Sequence, residues 1–158
     1  MALDEARLQD YARRSLSTLE MAEPTVVSPS DSLGGVIDVM RTRHDSCALI
    51  VNDGRLAGII TERDVLCKFM DPQFDWSQPV SNVMTADPIA LDCNDSIRDV
   101  IRLMRERDFR TVPIVDGGAV RGLVRLGDLL RNLAELFPEE VLNLPPRPNQ
   151  QMKSPEGA

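Results

Sequence analysis

One passage of this chain is written twice, and that fact limits the fold more than any other feature. Shifted by 64 positions, residues 24–66 lie on residues 88–130 without a gap. Pro24 falls on Pro88, Asp31-Ser32 on Asp95-Ser96, Val36 on Val100, Met40 on Met104, Gly58 on Gly122 and Asp64 on Asp128. Most other positions keep their apolar or polar character. A self-match of this length without gaps means one structural unit used twice, each copy too small to cover its own apolar face.

Both copies read alike. A short apolar run follows a proline (Thr25–Val27, Ile89–Leu91) and an Asp-Ser pair suited to helix capping comes next. The helix that follows repeats apolar residues at i, i+3, i+4, i+7: Leu33, Val36, Ile37 and Met40, then Ile97, Val100, Ile101 and Met104. Arginines close it, where the helix dipole favours cations. A strand (Cys47–Val51, Thr111–Val115), a tight Asn52-Asp53-Gly54 or Asp116-Gly117-Gly118 turn and a return strand (Leu56–Ile60, Val120–Val124) predict a hairpin. A last helix is predicted over about 62–69 and 126–137. The fold class is therefore α/β (α+β), two βαββα units related by a pseudo-twofold, each burying the other's sheet.

The expected organisation is an N-terminal helix at 1–18, unit one at 19–70, a linker at 71–79, unit two at 80–137 and an irregular tail at 138–158. The helix has Leu8, Tyr11, Ala12 and Leu16 on one side, to pack on the units or on a second subunit. Trp76 in the linker reads as a cap on the core edge. In the tail, Pro145-Pro146-Arg147-Pro148 fits a polyproline ligand less well than an idle tail, and residues 153–158 are expected to be disordered.

Composition removes several functions. A formal net charge of −7 argues against nucleic acid as a partner, although a small phosphate ligand needs only a few local cations. No stretch approaches the ~20 apolar residues of a membrane span, and the charged first residues are not a secretory signal. Cys47, Cys67 and Cys93 lack paired spacing, so idle reduced thiols and a cytoplasmic location are expected. No metal constellation and no nucleophile–base pair is apparent, and no enzymatic activity is expected. His44 ends a helix, a structural rather than catalytic place. Gly34-Gly35 in a helix costs about 1 kcal/mol per glycine against alanine, which a close approach of another segment would explain.

The chemistry concentrates where the hairpin runs into the last helix. The first copy reads Gly58-Ile59-Ile60-Thr61-Glu62-Arg63-Asp64. Backbone N–H groups and the positive end of the dipole seat a phosphate there. Thr61 can bond a phosphate or ribose oxygen, Arg63 can pair with a phosphate, and Asp64 can hold two ribose hydroxyls. The same Thr-x-x-Asp is also close to a capping box, in which the two side chains serve only the helix. In the second copy Arg125 replaces the threonine while Asp128 keeps the acid. A carboxylate kept without its capping partner suits a ribose role, though a dipole role for an acid in the first turn remains open.

These features together resemble a tandem CBS-domain protein, a Bateman module. The resemblance covers about residues 19–136 and rests on the duplicated βαββα pattern, Gly58-x-x-Thr61-x-x-Asp64, Val83-Met84-Thr85 and Val112-Pro113-Ile114-Val115-Asp116. It implies a regulatory module that binds AMP, ADP or ATP between the repeats, pairs as a homodimer and signals to a separate effector protein. The alternatives are an S-adenosylmethionine binder or a ligand-free scaffold for dimerisation and docking. No cofactor is implied beyond the regulatory ligand. By resemblance, Thr61 and Asp64 contact phosphate and ribose in a first site, with Thr25 and Val26 near the base. Asp128 matches the ribose residue of a second site, and Arg110 falls where a basic phosphate ligand is common. Arg125 departs from the usual Thr or Ser, and either reaches phosphate or fills the pocket. The Thr61/Asp64 site is expected to fill more readily.

Overall fold

The computed structural model describes residues 5–137. Residues 1–4 and the tail, with its proline run and its expected disorder, lie outside the described residues. The elements are α1 (Glu5–Arg13), β1 (Thr25–Val27), α2 (Leu33–Arg43), β2 (Cys47–Asn52), β3 (Arg55–Thr61), α3 (Glu62–Lys68), β4 (Thr85–Ala86), β5 (Leu91–Asp92), α4 (Ile97–Arg107), β6 (Thr111–Asp116), β7 (Ala119–Arg125) and α5 (Leu126–Leu136). Each copy folds as β-α-β-β-α, in two sheets ordered β1-β2-β3-β4 and β5-β6-β7.

The two copies keep one register. Val27 lies opposite Ile50 in parallel β1–β2, and Leu91 lies opposite Ile114 in parallel β5–β6. The antiparallel hairpins carry the same irregularity, after Ile50 and after Ile114. Both first helices are capped by a serine, Ser32 or Ser96, and both end on a left-handed residue, His44 or Asp108. The first strand of the second copy begins later than the predicted Ile89, which is 41% exposed, and spans only Leu91–Asp92.

The expected N-terminal helix does not reach residue 18. Helix α1 stops at Arg13, and Ser15 turns extended to bond the Cys93 carbonyl through its hydroxyl at 2.7 Å. A 3-10 turn at Leu16–Thr18 follows. Competition from the neighbouring backbone thus ends the helix where its apolar period would have continued.

The segment before β1 packs on the second copy, and the segment before β5 packs on the first. Leu16 N–H donates to the Asp95 carbonyl (2.8 Å), as Val80 N–H does to the Asp31 carbonyl (2.8 Å). Ala22 bridges Leu123, while β4 pairs with β3 through Ala86–Gly58 and Thr85–Ile59. Tyr11 and Leu16 join the core of Ile97, Val100, Val112 and Ile114; Val80 joins that of Leu33, Val36, Ile50 and Ile60. Full burial of a leucine such as Leu16 contributes about 1.5–3 kcal/mol. The duplication therefore reaches further toward the N-terminus than residue 24, and each copy is closed by a segment that precedes the other.

Between the copies, Cys47, Leu49 and Leu123 form a third apolar cluster with Leu56, Ile59 and Val120 against it. Leu56 N–H donates across to the Gly118 carbonyl at 3.1 Å. Trp76 stacks edge-on against Phe74 (5.1 Å between ring centres), at the margin of the first core. Its carbonyl accepts the Gly34 N–H at 2.9 Å, and a Cβ on Gly34 would meet that oxygen at 3.3 Å. This close approach accounts for one of the two helical glycines.

Candidate ligand site at the strand–helix junctions

At the first junction β3 runs straight into α3, and the capping box is complete. Thr61 N–H donates to Asp64 Oδ2 (3.0 Å), Thr61 Oγ1 donates to the same oxygen (2.8 Å), and Asp64 N–H donates back to Thr61 Oγ1 (3.2 Å). Asp64 Oδ1 pairs with Lys68 Nζ at 2.8 Å. Burial raises the Asp64 pKa, but the bonds from Lys68 and Thr61 outweigh it and hold the carboxyl below its ordinary value. The Glu62 N–H is taken by the Ser46 carbonyl at 2.9 Å. Arg63 is exposed on the first turn.

The second junction keeps the backbone and changes the chemistry. Arg125 occupies the cap position without any side-chain cap bond. Its guanidinium instead crosses to the other copy and pairs with Asp45 Oδ1 at 2.9 Å. Asp45 is 8% exposed, and its Oδ2 also accepts from Thr25 Oγ1 (2.5 Å) and Arg43 Nε (3.2 Å). Burial pushes the Asp45 pKa up, yet the Thr25 and Arg43 bonds and the Arg125 charge hold it below the ordinary value. Asp128, with no threonine to cap, holds Arg131 through Oδ1 at 3.3 Å. Its Oδ2 is buried and has no hydrogen-bond partner among the described residues.

Asp128 lines a hollow of about 390 Å³, walled by Leu19–Ala22 on one side and by Val124, Arg125, Leu129 and Asn132 on the other. Thr25, one residue of the expected first site, is linked through Asp45 to Arg125 of the second. Val26 beside it is half-exposed, and Arg110 is exposed, its carbonyl accepting the Leu126 N–H at 2.9 Å.

Asp45 and the Leu19–Ala22 wall escaped the sequence reading. A signal for Asp45 existed: the copy with arginine at the junction faces an acid in its sister, whereas Phe109 stands at the position equivalent to Asp45. The three thiols are free, and burial pushes that of Cys47 up to about 11. Asp92, Cys93 and Asp116 bring ligand atoms within 4.8 Å of one another, but Asp92 Oδ1 already accepts two bonds from Asn94. Among the described residues no helix is long and apolar enough to cross a membrane.

The comparisons agree with the fold. The sequence pattern of the CBS domain matches residues 16–71 and again residues 80–135. This chain belongs to the CBS-domain family. Tandem CBS domains generally act as regulatory nucleotide-binding modules. The chain is 32% identical over 106 residues to the CBS domain-containing protein YhcV of Bacillus subtilis, covering 67% of this chain and 76% of that one. It is 31% identical over 114 residues to Hypoxic response protein 1 of Mycobacterium tuberculosis, covering 70% and 79%. The crystal structure of CBSX2 in complex with AMP shares the fold at a TM-score of 0.68 and 22% identity, over 77% of this chain and 97% of that one.

Proposed function

We propose that this protein is a regulatory module that holds an adenosyl ligand in the Asp128 hollow and passes its occupancy to a separate effector protein. The observation that carries the reading is a hollow lined by Asp128, one of whose carboxylate oxygens is buried without a partner among the described residues. A buried acceptor without a donor costs about 1–3 kcal/mol, so a ligand toward which the Asp128 carboxylate turns recovers part of that cost by donating to it. The paired hydroxyls of a ribose are such donors. The tandem CBS fold and a fold neighbour described in complex with AMP support an adenosyl group over other nucleosides. AMP, ADP, ATP and S-adenosylmethionine are the candidates.

In this reading Thr25 acts through Asp45, Arg125 lines the hollow, and Val26 stays with the base of a ligand at the Thr61/Asp64 junction. Thr61, Arg63 and Asp64 form a lesser site, because Asp64 must first release Lys68 and share its capping bonds. Arg110 supplies a cation to either site only by swinging in from the surface.

A second copy of the chain is the proposed assembly partner. Leu66 on α3 and Leu130 on α5 occupy equivalent positions and are 66% and 59% exposed. A second copy that covers both would remove exposed apolar surface from water. Three free cysteines suit a reducing compartment, and the cytoplasm is the proposed location.

Native mass spectrometry of the purified protein, with thermal shift in AMP, ADP, ATP and S-adenosylmethionine, tests this reading. A dimer mass, a ligand-dependent rise in Tm by mass action and its loss in Asp128→Ala are expected. A dimer whose Tm ignores all four ligands would leave only the scaffold reading.

A further inference from the structure

The hollow is ringed by charges that do not suit a polyphosphate. Three carboxylates line it, from Glu20, Asp128 and Glu135, against two guanidiniums, from Arg125 and Arg131. Both guanidiniums are engaged, Arg131 by Asp128 and Arg125 by Asp45. The Arg125–Asp45 bond is the tighter of the two at 2.9 Å, and its carboxylate is only 8–9% exposed, where screening by water is weakest. Turning Arg125 toward a phosphate would remove a partner from that sheltered anion. Turning Arg131 would bare Asp128, the group offered to the ribose.

We infer that Asp45, by holding Arg125, makes this hollow select an adenosyl ligand whose 5′ group is uncharged or cationic over one that carries phosphates. The inference rests on the adenosyl reading above and narrows its ligand class. Asp45 is a positioning residue: it acts on the ligand through Arg125. Adenosine and an adenosyl sulfonium such as S-adenosylmethionine meet the surplus of carboxylates without penalty. AMP meets it with two negative charges and ATP with about four, so affinity falls in that order.

Isothermal titration of the full chain at fixed ionic strength, with adenosine, S-adenosylmethionine, AMP and ATP, tests this. Adenosine and S-adenosylmethionine are expected to bind on the order of tenfold more tightly than ATP, with AMP between them. Asp45→Asn frees Arg125 and removes one anion, so AMP and ATP gain on the order of tenfold while adenosine does not move. Asp45→Glu keeps the original order. Arg125→Gln provides a second arm should Asp45→Asn fold poorly. It removes a cation from the ring, so AMP and ATP fall further behind adenosine and the original order widens. ATP or AMP ranking above adenosine in the unaltered protein overturns the inference and leaves the adenosyl reading standing. So does a selective gain of AMP and ATP over adenosine in Arg125→Gln. Failure of all four ligands to bind overturns both.

Discussion

At the end of β3, Thr61 and Asp64 satisfy each other and Lys68 completes the set; at the end of β7, Arg125 turns away to Asp45 and Asp128 is left with an empty oxygen. The two junctions share strand register, hairpin irregularity and helix position. They differ by a few side chains, and that is enough to make one a closed helix start and the other a wall of a cavity. A duplicated backbone fixes where a site can form. The side chains at the junction, together with those facing them from the other copy, decide whether it forms.

The largest effect should appear where the copies are closed. Leu16 lies before the first copy but is fully buried in the core of the second, as Val80 is in the core of the first. Leu16→Ala should lower unfolding stability by about 3 kcal/mol and Val80→Ala by about 2, read as shifts in the urea midpoint at constant slope. Two equal and negligible shifts would mean that these segments are ornaments and that each copy covers itself. That would break the exchange of segments on which the position of the hollow depends, because Leu19–Ala22 form one of its walls.

The sequence made the repeat, the element order and the hairpins legible, since these rest on local patterns that occur twice. The helix start at Thr61 was equally legible as chemistry: both the ligand reading and the capping box were visible in Thr-x-x-Asp, and the capping bonds are present. Two other things were hidden for physical reasons. The extension of the repeat to Leu16/Val80, Ser17/Ser81 and Ala22/Ala86 uses the same 64-residue shift, but one segment reads as a helix end and the other as the entry to the second copy. Backbone bonds to a distant partner override those local appearances. The role of Asp45 depends on the crossing of Arg125 between copies, a contact 80 residues apart that no local window contains. The ladder position of Ile89 likewise gave way to exposure.

A smaller effect sharpens the difference between the junctions themselves. Thr61→Ala removes the cap and should cost about 1 kcal/mol, within the usual range for a lost N-cap. Asp128→Ala should change unfolding stability by less than about half of that in the absence of ligand. Its loss of a favourable dipole contact is offset by relief of an unpartnered buried oxygen. Equal costs at the two sites, measured by chemical denaturation, would show that Asp128 is a structural acid like Asp64 and would weaken its assignment to a ligand.

The smallest effect is one of pH, and its sign follows from the first junction. The folded carboxyl of Asp64 is held below its ordinary value, so the unfolded chain takes up the proton first. The stabilising contribution is therefore fully present above the unfolded pKa of about 3.9 and fades as pH falls from there through the lower folded value. Asp45 contributes in the same direction, through Thr25, Arg43 and Arg125. Asp64→Asn should flatten part of the acid limb of the stability curve without moving its neutral-pH shape, and the Asp45 part should persist. An acid limb that is unchanged in Asp64→Asn would mean that Lys68 and Thr61 do not hold that carboxylate in solution. The first junction would then be as open to a ligand as the second, and the contrast between them would vanish.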